Sequence, residues 1–162
     1  MTTLEEARYL AAGGELRAAL AALDGILSAE PEHVEALLLK ARLLLDLRDG
    51  EAALRWSETT VRLRPDSAEA LNGLARCLHA LGRNEEALRT AERARACLEH
   101  ESDSRHVGPV YLTLLWCLRE QRKLKEALAV AEEGLGLCYD SVLAQWASTV
   151  EEELADAEQE RC

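Results

Sequence analysis

The chain repeats itself. The stretch Asp49-Gly50-Glu51-Ala52-Ala53-Leu54-Arg55 returns as Arg83-Asn84-Glu85-Glu86-Ala87-Leu88-Arg89. Shorter echoes stand at Glu15-Leu16-Arg17-Ala18-Ala19-Leu20 and at Lys123-Leu124-Lys125-Glu126-Ala127-Leu128. Between Ala19, Ala53, Ala87 and Ala127 the steps are 34, 34 and 40 residues, and Pro31 and Pro65 are also 34 apart. A fixed period of this size points away from a single closed core. It means stacked supersecondary units, each burying its apolar face against the next.

Each unit reads as a leading and a trailing helix. Leu37, Ala41, Leu44 and Leu45 fall at helical spacing, followed after a short polar turn by Ala53, Ser57, Thr60 and Val61. Leu71, Leu74, Ala75 and Leu78, then Ala87, Leu88, Ala91 and Ala94, repeat the scheme. No segment sustains period-two alternation, so no strand is expected. Leu and Ala dominate the apolar residues and Phe is absent, which also favours helices. Gly14 and Gly82 suit left-handed stops of leading helices, and Pro31 and Pro65 close trailing ones, because proline disfavours α geometry in the residue before it. After Tyr139, the pair Asp140-Ser141 is placed to cap a last helix. That helix carries Val142, Trp146, Val150 and Leu154 on one stripe and Glu151, Glu152, Glu153, Asp156, Glu158 and Glu160 on its other face. The expected organisation is one domain over 1–162, with units at about 2–33, 34–67, 68–101 and 105–140, an insertion at 102–107, and a capping helix at about 141–158.

The registered copies resemble the tetratricopeptide repeat. The third unit carries the pattern best, as Leu71, Leu74-Ala75, Leu78, Gly82, Ala87, Ala91 and Ala94. The second supplies Leu37, Ala41, Leu44, Ala53 and Pro65, and the fourth Tyr111, Leu114-Leu115, Leu118, Ala127 and Ala131. The first keeps Ala7, Leu10, Gly14, Ala19 and Pro31. The resemblance spans roughly residues 2 to 140. It implies an all-α fold, an α-solenoid of about four antiparallel helix pairs wound as a superhelix, plus a C-terminal capping helix. It also implies a protein-binding scaffold rather than an enzyme. Glu6 and Lys40 depart from the pattern, standing where the family usually has a buried Leu.

Several chemistries are disfavoured. The net charge of −11 argues against general nucleic-acid binding and against attachment to anionic membranes. No apolar run approaches the ~20 residues of a spanning helix, and Met1 to Glu6 lack a secretory start, so a cytoplasmic location is expected. His33, His79, His100 and His106 lack metal-ligand spacing, and the five Cys residues contain no Cys-x-x-Cys, reading instead as buried structural thiols, with Cys162 exposed at the end. No phosphate-cradling glycine loop or nucleophile elbow occurs. No catalytic residue, metal or cofactor is expected.

The resemblance implies that the leading helices line a concave groove. That face maps onto Leu4, Arg8 and Ala11, then Leu38, Arg42 and Leu45, then Asn72, Arg76 and His79, then Leu112, Trp116 and Arg119. Arg8, Arg42 and Arg76 are 34 residues apart, a ladder of guanidinium groups in an acidic chain. The expected partner is a protein or peptide with acidic and apolar residues. Its carboxylates would be held bidentately by arginine and its apolar side chains would sit on Leu38, Leu45, Leu112 and Trp116. The competing reading pairs Arg8 with Glu5 and Arg42 with Asp46 along their own helices, whereas Arg76 has no acid three or four residues away. A carboxylate clamp is resembled only through Asn72 and Arg76, with no lysine beside them. The helix from Leu37 to Leu47 is apolar nearly all round and needs cover from neighbouring helices, a groove ligand or a second copy of the chain. Two alternatives stay open, a self-assembling structural module and a small cytosolic chaperone shielding a partner's apolar segment.

Overall fold

A computed structural model of the chain describes residues 3–100 and 104–159. Cys162, Glu160 and the Ser102-Asp103 part of the insertion lie outside the described residues. Among those described there are nine α-helices, one short 3₁₀ turn and no strand. The fold class is the one the sequence implies, an all-α helical repeat of the α-solenoid kind with a final capping helix. The chain divides into two compact units, Met1–Pro65 and Asp66–Cys162.

The first unit holds α1 (Leu4–Ala12), α2 (Leu16–Ala29), α3 (Val34–Asp46) and α4 (Gly50–Leu63). Ala19 of α2 and Ala53 of α4, the repeat-marking alanines, are fully buried. Ala7, Leu23, Leu27, Leu37 and Leu43 form the core around Ala19, with Leu10, Leu20 and Trp56 packed against it. Lys40 resolves the departure noted above. It is 8% exposed, its ammonium bonds Asp24 of α2, and it lies 3.7 Å from the centroid of the Trp56 ring on α4. The long stem packs as the missing Leu would, while the carboxylate and the indole face compensate the buried charge. Glu6 is exposed and needs no such compensation.

The second unit holds α5 (Ala68–Ala80), α6 (Asn84–Leu98), the 3₁₀ turn Ser104–His106, α7 (Val107–Glu120), α8 (Leu124–Leu137) and α9 (Ser141–Gln159). Ala87 and Ala127 are fully buried here. Tyr111, 2% exposed, donates from its hydroxyl to Glu133 at 2.6 Å, and Arg95 approaches the same carboxylate at 3.5 Å. This ties α6, α7 and α8 together. Burial and the carboxylate acceptor push the phenol up to about 12. Gly134 lets Tyr111 lie against the α8 backbone, since a Cβ there would sit 2.6 Å from the ring. The described part of the insertion runs straight into α7, with the His106 imidazole 4.0 Å from Glu69 of α5 and Pro109 in the first helical turn.

Asp140 caps α9, accepting from the N–H groups of Val142 and Leu143, each at 2.9 Å. The buried line of α9 is Leu143, Ala147 and Val150; of the expected stripe, Val150 is fully buried and Trp146 and Leu154 pack half-buried against the same cluster, whereas Val142 is 48% exposed. The helix is gripped by α7 and α8 on a face centred between that stripe and Leu143 and Ala147. The cysteines also divide. Cys77 and Cys117 are buried as expected, whereas Cys97 and Cys138 are only half-buried, and all four are thiols rather than disulfides. Burial and the neighbouring Glu120 push Cys117 up to about 12, which leaves it unreactive.

The turns inside the pairs are four copies of one motif. Gly14, Arg48, Gly82 and Arg122 all have positive φ, at 81°, 63°, 73° and 60°. In each copy the next residue's N–H reaches back five positions: Glu15 to Leu10, Asp49 to Leu44, Arg83 to Leu78 and Lys123 to Leu118, at 2.9–3.0 Å. This is the Schellman cap, whose left-handed position favours glycine. A side chain there costs ~1–2 kcal/mol, so substitutions towards and away from glycine should have opposite signs. Gly82→Ala is expected to lower stability by ~1 kcal/mol and Arg122→Gly to raise it by up to ~1 kcal/mol in denaturant unfolding. If both substitutions moved stability in the same direction, the four turns would not be equivalent.

Candidate partner-binding site

Within the first unit, Leu38, Arg42 and Leu45 lie along one line of α3, the two leucines half-buried and Arg42 exposed. Arg42 forms no ion pair or side-chain hydrogen bond with any described residue, and the pairing with Asp46 does not form. Arg8 differs. Its guanidinium is 3.1 Å from Glu5 on its own helix and 3.7 Å from Glu35 of α3, so it arrives at the face already paired.

Within the second unit, Asn72, Arg76 and His79 share one face of α5, and Leu112, Trp116 and Arg119 one face of α7. Asn72 is 7% exposed; the other five are half-buried. The His79 ring stacks on Trp116, centroids 6.2 Å apart and planes 27° apart. Trp116 meets Trp146 of α9 edge to face at 6.0 Å. Arg119 is occupied from within the chain. Its Nε donates to both oxygens of Glu153 at 3.0 Å, its Nη2 bonds Glu153 as well, and the guanidinium lies 5.4 Å from the Trp146 ring. Glu153 stands 34 residues after Arg119, so the partner occupies the equivalent place one repeat later. That offset was available in the sequence. Arg76, by contrast, pairs with no described residue.

Three buried side-chain polar atoms find no hydrogen-bond partner among the described residues: Oδ1 of Asn72, Nε2 of His79 and Nε1 of Trp116. All three belong to the residues that the family resemblance assigns to the leading-helix faces. An unsatisfied buried group of this kind costs ~1–3 kcal/mol, and sequence reasoning alone does not reveal it, because pairing depends on neighbours brought together by the fold. Elsewhere, no group of three His, Cys, Asp or Glu among the described residues is placed to hold a metal. No helix of the described residues is long and apolar enough to cross a membrane.

Burial holds the His79 imidazole below its ordinary value of 6.5, against a smaller opposing pull from Glu120. Below that value the unfolded chain binds a proton that the folded chain resists, so this residue favours folding above pH 6.5 and loses that contribution as the pH falls. Denaturant midpoints measured between pH 7.5 and 5.5 should therefore fall more steeply for the wild type than for His79→Gln; parallel slopes would place the imidazole in solvent.

The tetratricopeptide repeat family matches residues 66–140, and a family described as anaphase-promoting complex, cyclosome, subunit 3 matches residues 12–94, about half of the chain. No curated protein matches the chain. Among solved structures, a thermophilic tetratricopeptide repeat protein of Thermus thermophilus is similar at a TM-score of 0.82 and 22% identity, over 93% of this chain and 80% of that one. The pilF protein of Pseudomonas aeruginosa is similar at 0.77 and 18%, over 96% and 70%. MamA from Desulfovibrio magneticus RS-1, residue 41 to its end, is similar at 0.70 and 20%, over 83% and 72%. At these identities the likeness is one of fold. Repeat pattern, helix pairs and family matches agree, and the chain belongs to the tetratricopeptide repeat family.

Proposed function

We propose that the chain is an adaptor that holds a partner segment on the faces of its leading helices, with acidic side chains at Arg42 and Arg76 and apolar ones on Leu38, Leu45, Leu112 and Trp116. Proteins of this family serve in general as protein-interaction scaffolds. The observation that carries the reading is the state of the two arginines. In a chain of net charge −11, acids are plentiful, yet neither guanidinium is paired with a described residue, while Arg8 and Arg119 on the same faces are. Arg42 lies between the half-buried Leu38 and Leu45 of α3, and Arg76 shares its unit with the half-buried Leu112 and Trp116 of α7, so that each unit suits a segment carrying both carboxylates and apolar residues. A cytoplasmic setting belongs to the same proposal, and cysteines kept as thiols are compatible with it.

The test is the double variant Arg42→Glu/Arg76→Glu, first matched to wild type in helicity, with the mass of each measured at several concentrations. Partners captured from cytosol by wild type are identified, and the interacting segment of each is then titrated against both proteins. A hydrogen bond to a charged group contributes ~1.5–3 kcal/mol, so loss of two is expected to weaken binding by at least about a hundredfold. Equal affinity for both proteins would mean that the arginines are solvated and the binding surface lies elsewhere. A concentration-dependent rise in mass that the double variant abolishes would instead make a second copy of the chain the occupant.

A further inference from the structure

The repeat supplies its own control for the surface at the α8–α9 junction. Counted from the capping residues His33, Ser67 and Asp140, Tyr139 takes the place of Glu32 and Asp66, and Val142 that of Glu35 and Glu69. By the same count Leu137, the last residue of α8, takes the place of Glu30 and Arg64. All six of those charged residues are exposed, so the fold requires nothing apolar at the three positions. Here the apolar replacements stand in solvent, Leu137 at 62%, Tyr139 at 89% and Val142 at 48%. Apolar residues scattered singly over a surface are ordinary, but three gathered at one turn form a patch. The turn is also held firmly. Asp140 caps α9, and the α7 backbone passes so near that carboxylate that Gly108 has no room for a Cβ. The patch is therefore preformed.

Charge identifies what covers it. Between Lys125 and Arg161 the chain has ten acidic residues and no Lys, Arg or His. Glu132 and Glu133 stand about one helical turn before Leu137. The last turn of α8 carries no basic residue to meet its carbonyl ends. Arg95, which reaches this side from α6, is already drawn to Glu133. A second copy of the chain would bring the same acids to the contact. The patch is also small for a dimer, since Tyr139, its largest side chain, offers ~200 Å² against the ~800 Å² per partner of a stable interface. A short segment carrying both cations and apolar side chains meets the charge and the size together. We infer that the α8–α9 junction is a docking surface for a basic, apolar segment of a partner protein. Its apolar side chains cover Leu137, Tyr139 and Val142, and its lysines or arginines lie beside Glu132 and the C-terminal end of α8. This surface is separate from the leading-helix faces and prefers the opposite charge, so the two readings stand or fall independently.

The experiment uses the full chain and the triple variant Leu137→Glu/Tyr139→Glu/Val142→Glu, which gives this junction the residues that Glu30, Glu32 and Glu35 supply between α2 and α3. The variant is more acidic than wild type, so charge alone would tighten its hold on a cationic probe. Two fluorescein-labelled ten-residue peptides, (Lys-Leu)5 and (Lys-Ser)5, are titrated and followed by anisotropy. Wild type is expected to bind (Lys-Leu)5 at least about tenfold tighter than the triple variant does, whereas (Lys-Ser)5 binds the triple variant no more weakly than wild type. The Arg42→Glu/Arg76→Glu variant keeps the wild-type affinity for (Lys-Leu)5 or exceeds it, which separates this surface from the leading-helix faces. Denaturant midpoints of wild type and triple variant are compared first. Should the triple variant not fold, Tyr139→Glu in the turn carries the comparison, with about a threefold loss expected. The inference is overturned if the substitutions leave (Lys-Leu)5 binding unchanged or tighter, or if wild type binds (Lys-Leu)5 no better than (Lys-Ser)5. A rise of wild-type mass with concentration that the triple variant abolishes overturns it too, with a second copy as the occupant.

Discussion

Ala19, Ala53, Ala87 and Ala127 are buried without remainder and present only a methyl group where each trailing helix meets its surroundings. That economy lets helix backbones approach closely, and the four Schellman turns then fix where each trailing helix begins. Spacing comes from the alanines and direction from the turns. Once both are set, residues spaced three, four or seven apart along a leading helix are turned to one face whatever their identity. A larger side chain at any of these alanines would force the helices apart in a close-packed interior, and with them the lines Leu38-Arg42-Leu45 and Asn72-Arg76-His79.

Charge then sorts the faces. The acidic composition supplies partners for most cations that the packing brings near another helix. Lys40 meets Asp24, Arg95 meets Glu133, and Arg119 meets Glu153. These three contacts join separate helices, and the more buried among them hold the fold rather than await a ligand. Arg8 is bracketed by Glu5 and Glu35. Arg42 and Arg76 are what remains of the four face arginines once such pairs are made. Beside Arg76, on the faces of α5 and α7, three buried polar atoms have no hydrogen-bond partner among the described residues.

Much of this is written locally in the sequence. The repeat, the alanines, the left-handed glycines and the Asp140 cap each depend on residues a few positions apart, and each was legible for that reason. Arg48 and Arg122 were not, because arginine carries no sign that it will adopt positive φ; only the glycines at the same place in the other two turns hint at it. Lys40 read as a flaw in α3 because its compensation comes from Asp24 and Trp56 on two other helices. On α9 the stripe through Trp146, Val150 and Leu154 does face the core, but Val142 at its edge does not and Leu143 and Ala147 do, since an apolar stripe that broad does not say which of its edges is covered. On the leading-helix faces, the alignment of residues was readable but their pairing was not. Whether an arginine is paired, or an indole N–H orphaned, is decided across helices.

The most direct test of the account is amide chemical-shift mapping of the isotope-labelled chain, with and without the segment of a captured partner. The account predicts perturbations centred on Leu38, Arg42 and Leu45 in the first unit and on Asn72, Arg76, His79 and Trp116 in the second, with the trailing helices α2, α4, α6 and α8 largely unmoved. Perturbations centred on those trailing helices, or on the acidic face of α9, with the leading-helix faces silent, would contradict it.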